Sequence, residues 1–151
     1  MGALAQKRFG SNRGQAAVEF LLSVLMLLVL IFLCFETFMM LYSYNVIADA
    51  AKEGLRFAVV SGSNSGAPLG PSSGSGSDCT TNIDAIKTLV TNYAGLTFHD
   101  ISAMTVNVCY LDGNNTAPNR VQVTIGYVYQ PYFAVPLTPT IHAAAEGRIV
   151  N

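Results

Sequence analysis

Hydrophobic and polar positions divide the chain into stretches of unlike period. Residues 20–35 carry no charge, and after Glu36 the apolar run resumes through Tyr44. About 20 predominantly apolar residues carry a helix across a bilayer, so this stretch predicts a membrane-spanning helix. Across residues 45–60 the apolar positions thin to a stripe. Ala48, Ala50, Ala51, Leu55 and residues 57–60 carry it, with Asp49, Lys52, Glu53 and Arg56 between. No proline interrupts this part, and its first glycine is Gly54. Asp49 with Glu53 is a slightly unfavourable like-charge pair, and Asp49–Lys52 and Lys52–Arg56 offset each other weakly. One helix over residues 15–60 is expected, about 65 Å long and roughly twice the hydrocarbon thickness, so that its outer part projects beyond the membrane.

Residues 61–77 are a glycine, serine and proline tract without periodicity, which reads as a flexible loop. Ile83, Ile86, Leu89, Val90 and Tyr93 then recur at helical spacing. Thr81 or Asn82 is placed to cap that helix, Asp84 suits its first turn, and Gly95 is expected to end it. Residues 105–111 alternate, with Val106, Val108 and Tyr110 opposite Thr105, Asn107 and Cys109. Asp112-Gly113-Asn114-Asn115 is a turn signal and Pro118 closes the loop. Val121, Val123, Ile125 and Tyr127 mark a facing strand. Pro131, Pro136 and Pro139 break the next stretch, and residues 141–150 suit a third strand despite the poor strand formers Ala143, Ala144 and Ala145. The expected fold class is α+β: a long N-terminal transmembrane helix continuing into a small globular domain with a second helix and a short antiparallel sheet, since three strands need a covering element. The expected segments are a leader over 1–14, the long helix over 15–60, the loop over 61–78 and a small domain over 79–151.

Composition agrees with an anchor. Of 151 residues only 11% are charged, against roughly 25% in a soluble domain, and the deficit lies in the apolar run. Lys7, Arg8 and Arg13 precede that run without an acidic neighbour, which keeps the N-terminus cytoplasmic and sends the C-terminal bulk outside. The net charge of −1 and the lack of a basic patch argue against a nucleic-acid partner. Cys34 reads as a small buried hydrophobe. Cys79 and Cys109 are the plausible pair, and in an oxidising compartment they are expected to form a disulfide. Zinc-like cysteine spacing is lacking, so no metal is expected. His99 and His142 have no nucleophile or phosphate-cradling glycine motif beside them; no catalytic residue and no cofactor is expected. Asn114-Asn115-Thr116 fits a glycosylation acceptor but reads better as the hairpin turn. Ala48-Asp49-Ala50 has the small-x-small form of a signal peptidase site, yet lies too far beyond the uncharged run. The aromatics Phe32, Phe35, Phe38, Tyr42 and Tyr44 suit bundled helices and a membrane interface.

The chemistry concentrates in Arg13-Gly14-Gln15-Ala16-Ala17-Val18-Glu19-Phe20. A carboxylate inside an apolar segment costs a few kcal/mol to insert. Cleavage after Gly14 would give Gln15 a new ammonium group one helical turn from Glu19, able to pair within a subunit or between neighbours. Alternatively, Glu19 snorkels to the interface, only about 6 Å along the helix from Gln15. The residues alone leave both readings open. Glu36, about 31 Å beyond Gln15 along a helix, reads as a marker of the outer interface.

Gly14, four intervening residues and Glu19-Phe20 resemble the cleavage site of type IV prepilins. More narrowly, residues 13–20 resemble the N-terminal signature of TadE-like proteins, pseudopilins of tight-adherence (Tad/Flp) pili. Ala50-Ala51-Lys52-Glu53-Gly54-Leu55-Arg56-Phe57-Ala58 resembles a second stretch of that family, with Lys52 in place of a usual arginine and Leu55 in place of a usual alanine. The resemblance implies that Gly14 ends the leader, that a prepilin peptidase acts there and that Gln15 begins the mature chain. It implies that Glu19, beside Phe20, neutralises a neighbouring N-terminus during assembly. Implied partners are other pilin subunits, an inner-membrane assembly platform and membrane lipid. The additional C-terminal domain favours a minor pseudopilin over a main shaft subunit. The competing expectation is a single-pass anchored extracytoplasmic binding module or, further off, a tethered enzyme.

Overall fold

A computed structural model describes residues 12–133 and 138–151. Lys7, Arg8 and the rest of the leader through residue 11, the side chain of Arg13, and Pro136 lie outside the described residues. The order of elements is α1 (Asn12–Val60), α2 (Asp84–Ala94), a 3-10 turn (Gly95–Thr97), β1 (Thr105–Tyr110), β2 (Arg120–Val128) and β3 (Thr140–Arg148). This is an α+β fold with a long apolar N-terminal helix, as the periodicity predicts. Two compact units share the chain, Met1–Phe38 and Met39–Asn151, and α1 contributes residues to both.

In the first unit α1 is exposed through Phe35, and no part of its most apolar window is buried within the chain. Cys34 is a free thiol on the helix surface, exposed as far as the chain itself is concerned, because the segment has nothing within the chain to pack on. Ser23 and Thr37 donate their hydroxyls to the carbonyls of Glu19 and Leu33 one turn back, each at 2.9 Å. That internal pairing removes the cost of two polar groups in an apolar surrounding. A helix of this length and character fits a single-pass membrane anchor.

The second unit is built on the outer part of α1. Ser43, Ile47, Ala50, Ala51, Gly54 and Ala58 are buried, a three- and four-residue recurrence that forms one face of a helix. Nearly all are small, and neighbouring elements come close. A Cβ on Gly54 would collide with Val90 of α2 and stand 3.5 Å from Val123 of β2. The three strands form an antiparallel sheet in the order β1-β2-β3, with Tyr110 opposite Val121 and Thr124 opposite Ala144. Its inner face presents Val108, Tyr110, Val121, Val123, Ile125, Tyr127, Ile141 and Ala143 to the core. The weak strand formers of β3 have a packing reason. A Cβ on Gly147 would stand 3.3 Å from both Leu55 and Val59 of α1, so small residues on this strand admit the helix.

The cap of α2 differs from expectation. Its N-cap is Ile83, with no side-chain hydrogen bond. Both expected cappers are engaged elsewhere: the Thr81 hydroxyl donates to Asp78 at 2.7 Å, and the Asn82 amide points to the Pro68 carbonyl at 3.4 Å. Ile83, Ile86, Val90 and Ala94 are buried while Tyr93 is exposed, so Ala94 completes the inward stripe that Tyr93 was expected to share. Gly95 ends the α-helix as expected, but the left-handed residue that reverses the chain is Phe98, at φ 61°.

Candidate processing and assembly site

Gly14, Gln15, Glu19 and Phe20 all lie on α1. Gln15 and Glu19 are one turn apart on the same face, and both line a shallow open groove with Gly14, Val18, Leu22 and Ser23. Glu19 is exposed and makes no salt bridge among the described residues. Phe20, 71% exposed, points its ring away from any core within the chain. These side chains therefore point away from the rest of the chain. The helix begins at Asn12, upstream of Gly14, so the bond between Gly14 and Gln15 lies inside helical backbone and not at the start of the helix. Glycine is the weakest helix former short of proline, by about 1 kcal/mol against alanine, so Gly14 makes this turn easier to open than its neighbours.

The second unit carries a covalent lock of its own. Cys79 and Cys109 form a disulfide with Cα atoms 4.0 Å apart. Beside it, Asp78 and Tyr110 exchange two backbone hydrogen bonds, of 3.0 and 2.7 Å. The Asp78 carboxylate accepts from the backbone N–H and hydroxyl of Thr80 and of Thr81. These bonds, the Thr80 N–H foremost, hold it below the usual carboxylate range. A crosslink over 30 residues stabilises by about 3–4 kcal/mol in the loop-entropy account. Thiol labelling of unreduced, denatured protein is expected to modify Cys34 alone; labelling of Cys79 and Cys109 as well would contradict the bond.

Tyr110 and Asn115 organise the glycine-rich tract, which sequence reading missed. The Tyr110 hydroxyl and the Asn115 side-chain amide both donate to the Leu69 carbonyl, at 3.1 and 2.9 Å. Asn115 also donates its backbone N–H to Pro71 and accepts from Ser63. Burial pushes the Tyr110 phenol up to about 12, so it remains a donor at any physiological pH. The detectable signal was Asn115 as the last residue of the turn signal, read only as turn-forming. Asp112 closes the same loop by accepting from the Arg120 guanidinium at 2.9 and 3.2 Å and from its backbone N–H at 2.8 Å. The Arg120 side chain, above all, holds the Asp112 carboxyl below its ordinary value.

At the opposite terminus the chain end seals α1. Val150 N–H donates to the Val59 carbonyl and the Asn151 amide to the Val60 carbonyl, each at 3.2 Å. These carbonyls have no partner within a helix that stops there. Among the described residues, no group of three His, Cys, Asp or Glu side chains is placed to hold a metal.

No curated protein and no solved structure matches the chain. A family does match the part that carries the outward-facing site: residues 14–56, from the glycine before the anchor to the arginine that pairs with Glu53, match the model of the TadE-like protein family.

Proposed function

We propose that this chain is a minor pilin or pseudopilin of a Tad/Flp-type pilus or related secretion filament, processed after Gly14 and assembled through α1. What supports the reading is the TadE-like match, which begins at Gly14 and spans both the anchor and the start of the outer unit. A pilus-associated role follows from that family. The exposed Gln15–Glu19 face supplies chemistry for assembly. Hydrolysis of the Gly14–Gln15 bond by a prepilin peptidase adds one water, leaving a carboxylate on Gly14 and an amine on Gln15. As an ammonium, that amine stands one helical turn from the Glu19 carboxylate. The resulting ammonium and Glu19 are complementary charges in an apolar setting, where attraction between neighbouring subunits is stronger than in water. The N-terminus faces the cytoplasm and the outer unit faces the periplasm, with an inner-membrane platform and other subunits as partners.

The mature chain is expected to start at Gln15, and intact-mass or N-terminal analysis of native membrane material tests this. A start at Met1 would refute processing. A start at Ala51 would make the chain a secreted protein and not a pilin.

A further inference from the structure

We propose that the turn Leu96-Thr97-Phe98 is a membrane-docking tip that seats Leu96 and Phe98 in the outer headgroup layer of the bilayer holding α1; the inference rests on α1 being a membrane anchor. Leu96 is 56% and Phe98 74% exposed, while Thr97 between them is fully buried and pins the turn. Phe98 adopts φ 61°, a left-handed conformation that bulky residues rarely take and that persists only where surroundings enforce it. Here Tyr42 of α1 stacks on the Phe98 ring, with centroids 5.7 Å apart. The backbone thus takes a strained conformation that turns a large apolar ring outward.

Both outer residues of the tip have their carbonyls already paired. The Tyr42 hydroxyl donates to the Leu96 carbonyl at 3.1 Å, and the Tyr132 hydroxyl donates to the Phe98 carbonyl at 3.3 Å. Moving an unpaired carbonyl out of water is costly; for these two the cost is largely removed. No Asp, Glu, Lys or Arg occurs between Lys87 and Asp100, nor between Glu36 and Asp49, so neither the tip nor the helix segment beneath it brings a formal charge into the layer.

Chain position selects lipid as the occupant. Tyr42 follows Phe20, the start of the uncharged run, by 22 positions, and about 20 apolar residues cross the hydrocarbon. Tyr42 therefore falls at the outer headgroups, where tyrosines concentrate, and it carries the tip with it.

The chain has no tryptophan, so single-tryptophan variants of the full chain report on each place separately. Phe98→Trp, Leu96→Trp, Leu27→Trp and Thr116→Trp are reconstituted in phosphatidylcholine vesicles with acyl chains brominated near the headgroup. Tryptophan at 98 and at 96 is expected to lose at least half its emission relative to unbrominated vesicles, with that at 27 quenched as well and that at 116 unaffected. Quenching at 27 without quenching at 96 and 98 would overturn docking while leaving the anchor intact. Lack of quenching at 27 would overturn the anchor reading, and docking with it. Tryptophan at 98 shielded from aqueous iodide yet untouched by bromolipid would mean that another copy covers the tip, which also rejects the proposal.

Discussion

Glu19→Gln is expected to leave the protein inserted and cleaved after Gly14 while lowering pilus output at least about tenfold. The substitution keeps the shape and removes the charge. If Glu19 pairs with a neighbouring Gln15 ammonium, its loss strands a positive charge in an apolar contact. Truncating one member of such a pair costs about 2–5 kcal/mol, and each 1.4 kcal/mol is about a factor of ten in an association constant. If Glu19 only snorkels to the interface, glutamine is easier to insert and output is unchanged or higher. Glu19→Asp, which retains the charge on a shorter stem, should recover part of the loss. Wild-type pilus yield from the glutamine variant, measured beside an N-terminal sequence confirming cleavage, would eliminate the pairing role.

The second large effect belongs to Gly54. Alanine there gains about 1 kcal/mol of helix propensity, but its Cβ meets Val90 and lies 3.5 Å from Val123 and 3.7 Å from Ile86. Overpacking a full core costs about 1–3 kcal/mol, so Gly54→Ala is expected to be neutral or mildly destabilising. Gly54→Leu forces a whole side chain between α1, α2 and β2 and should cost about 3 kcal/mol or more. At about 4–8 °C per kcal/mol for a domain near this size, the outer unit should melt at least about 12 °C lower, followed by tyrosine near-ultraviolet dichroism in detergent. Gly66, where an added Cβ meets nothing within 4 Å, serves as the control, and Gly66→Ala should melt with the wild type. A Gly54→Leu protein melting within about 3 °C of wild type would show that α1 does not need this close approach.

Legibility in the sequence followed the range of the forces involved. The long helix, α2 and the three strands were readable because each rests on a local period: an uncharged run, a three- and four-residue recurrence, an alternation. The Cys79–Cys109 pair was readable by elimination, since the third cysteine lies in the apolar run. The candidate site was readable because Gly14, Gln15, Glu19 and Phe20 are neighbours on one helix, and their spacing alone sets their geometry. Where reading went astray, a competing contact that the local period does not show decided the outcome. Thr81 and Asn82 have capping side chains, but Asp78 and Pro68 engage them first. Tyr93 fits a helical stripe, yet Ala94 faces the core because β1 and α1 determine which face of α2 is inward.

By itself, then, the sequence determined that residues 20–44 need a nonaqueous surrounding, that a carboxylate stands at their N-terminal edge one turn from Gln15, and that an α+β domain follows. These are consequences of composition and short-range period. Tertiary structure alone decided why α1 must be thin at Gly54, how the Leu69 carbonyl gathers Tyr110 and Asn115 to hold the glycine-rich tract, and how Tyr42 props Phe98 outward. Each depends on groups more than about 30 residues apart in the chain, and no local pattern encodes which surfaces meet once the chain has closed on itself.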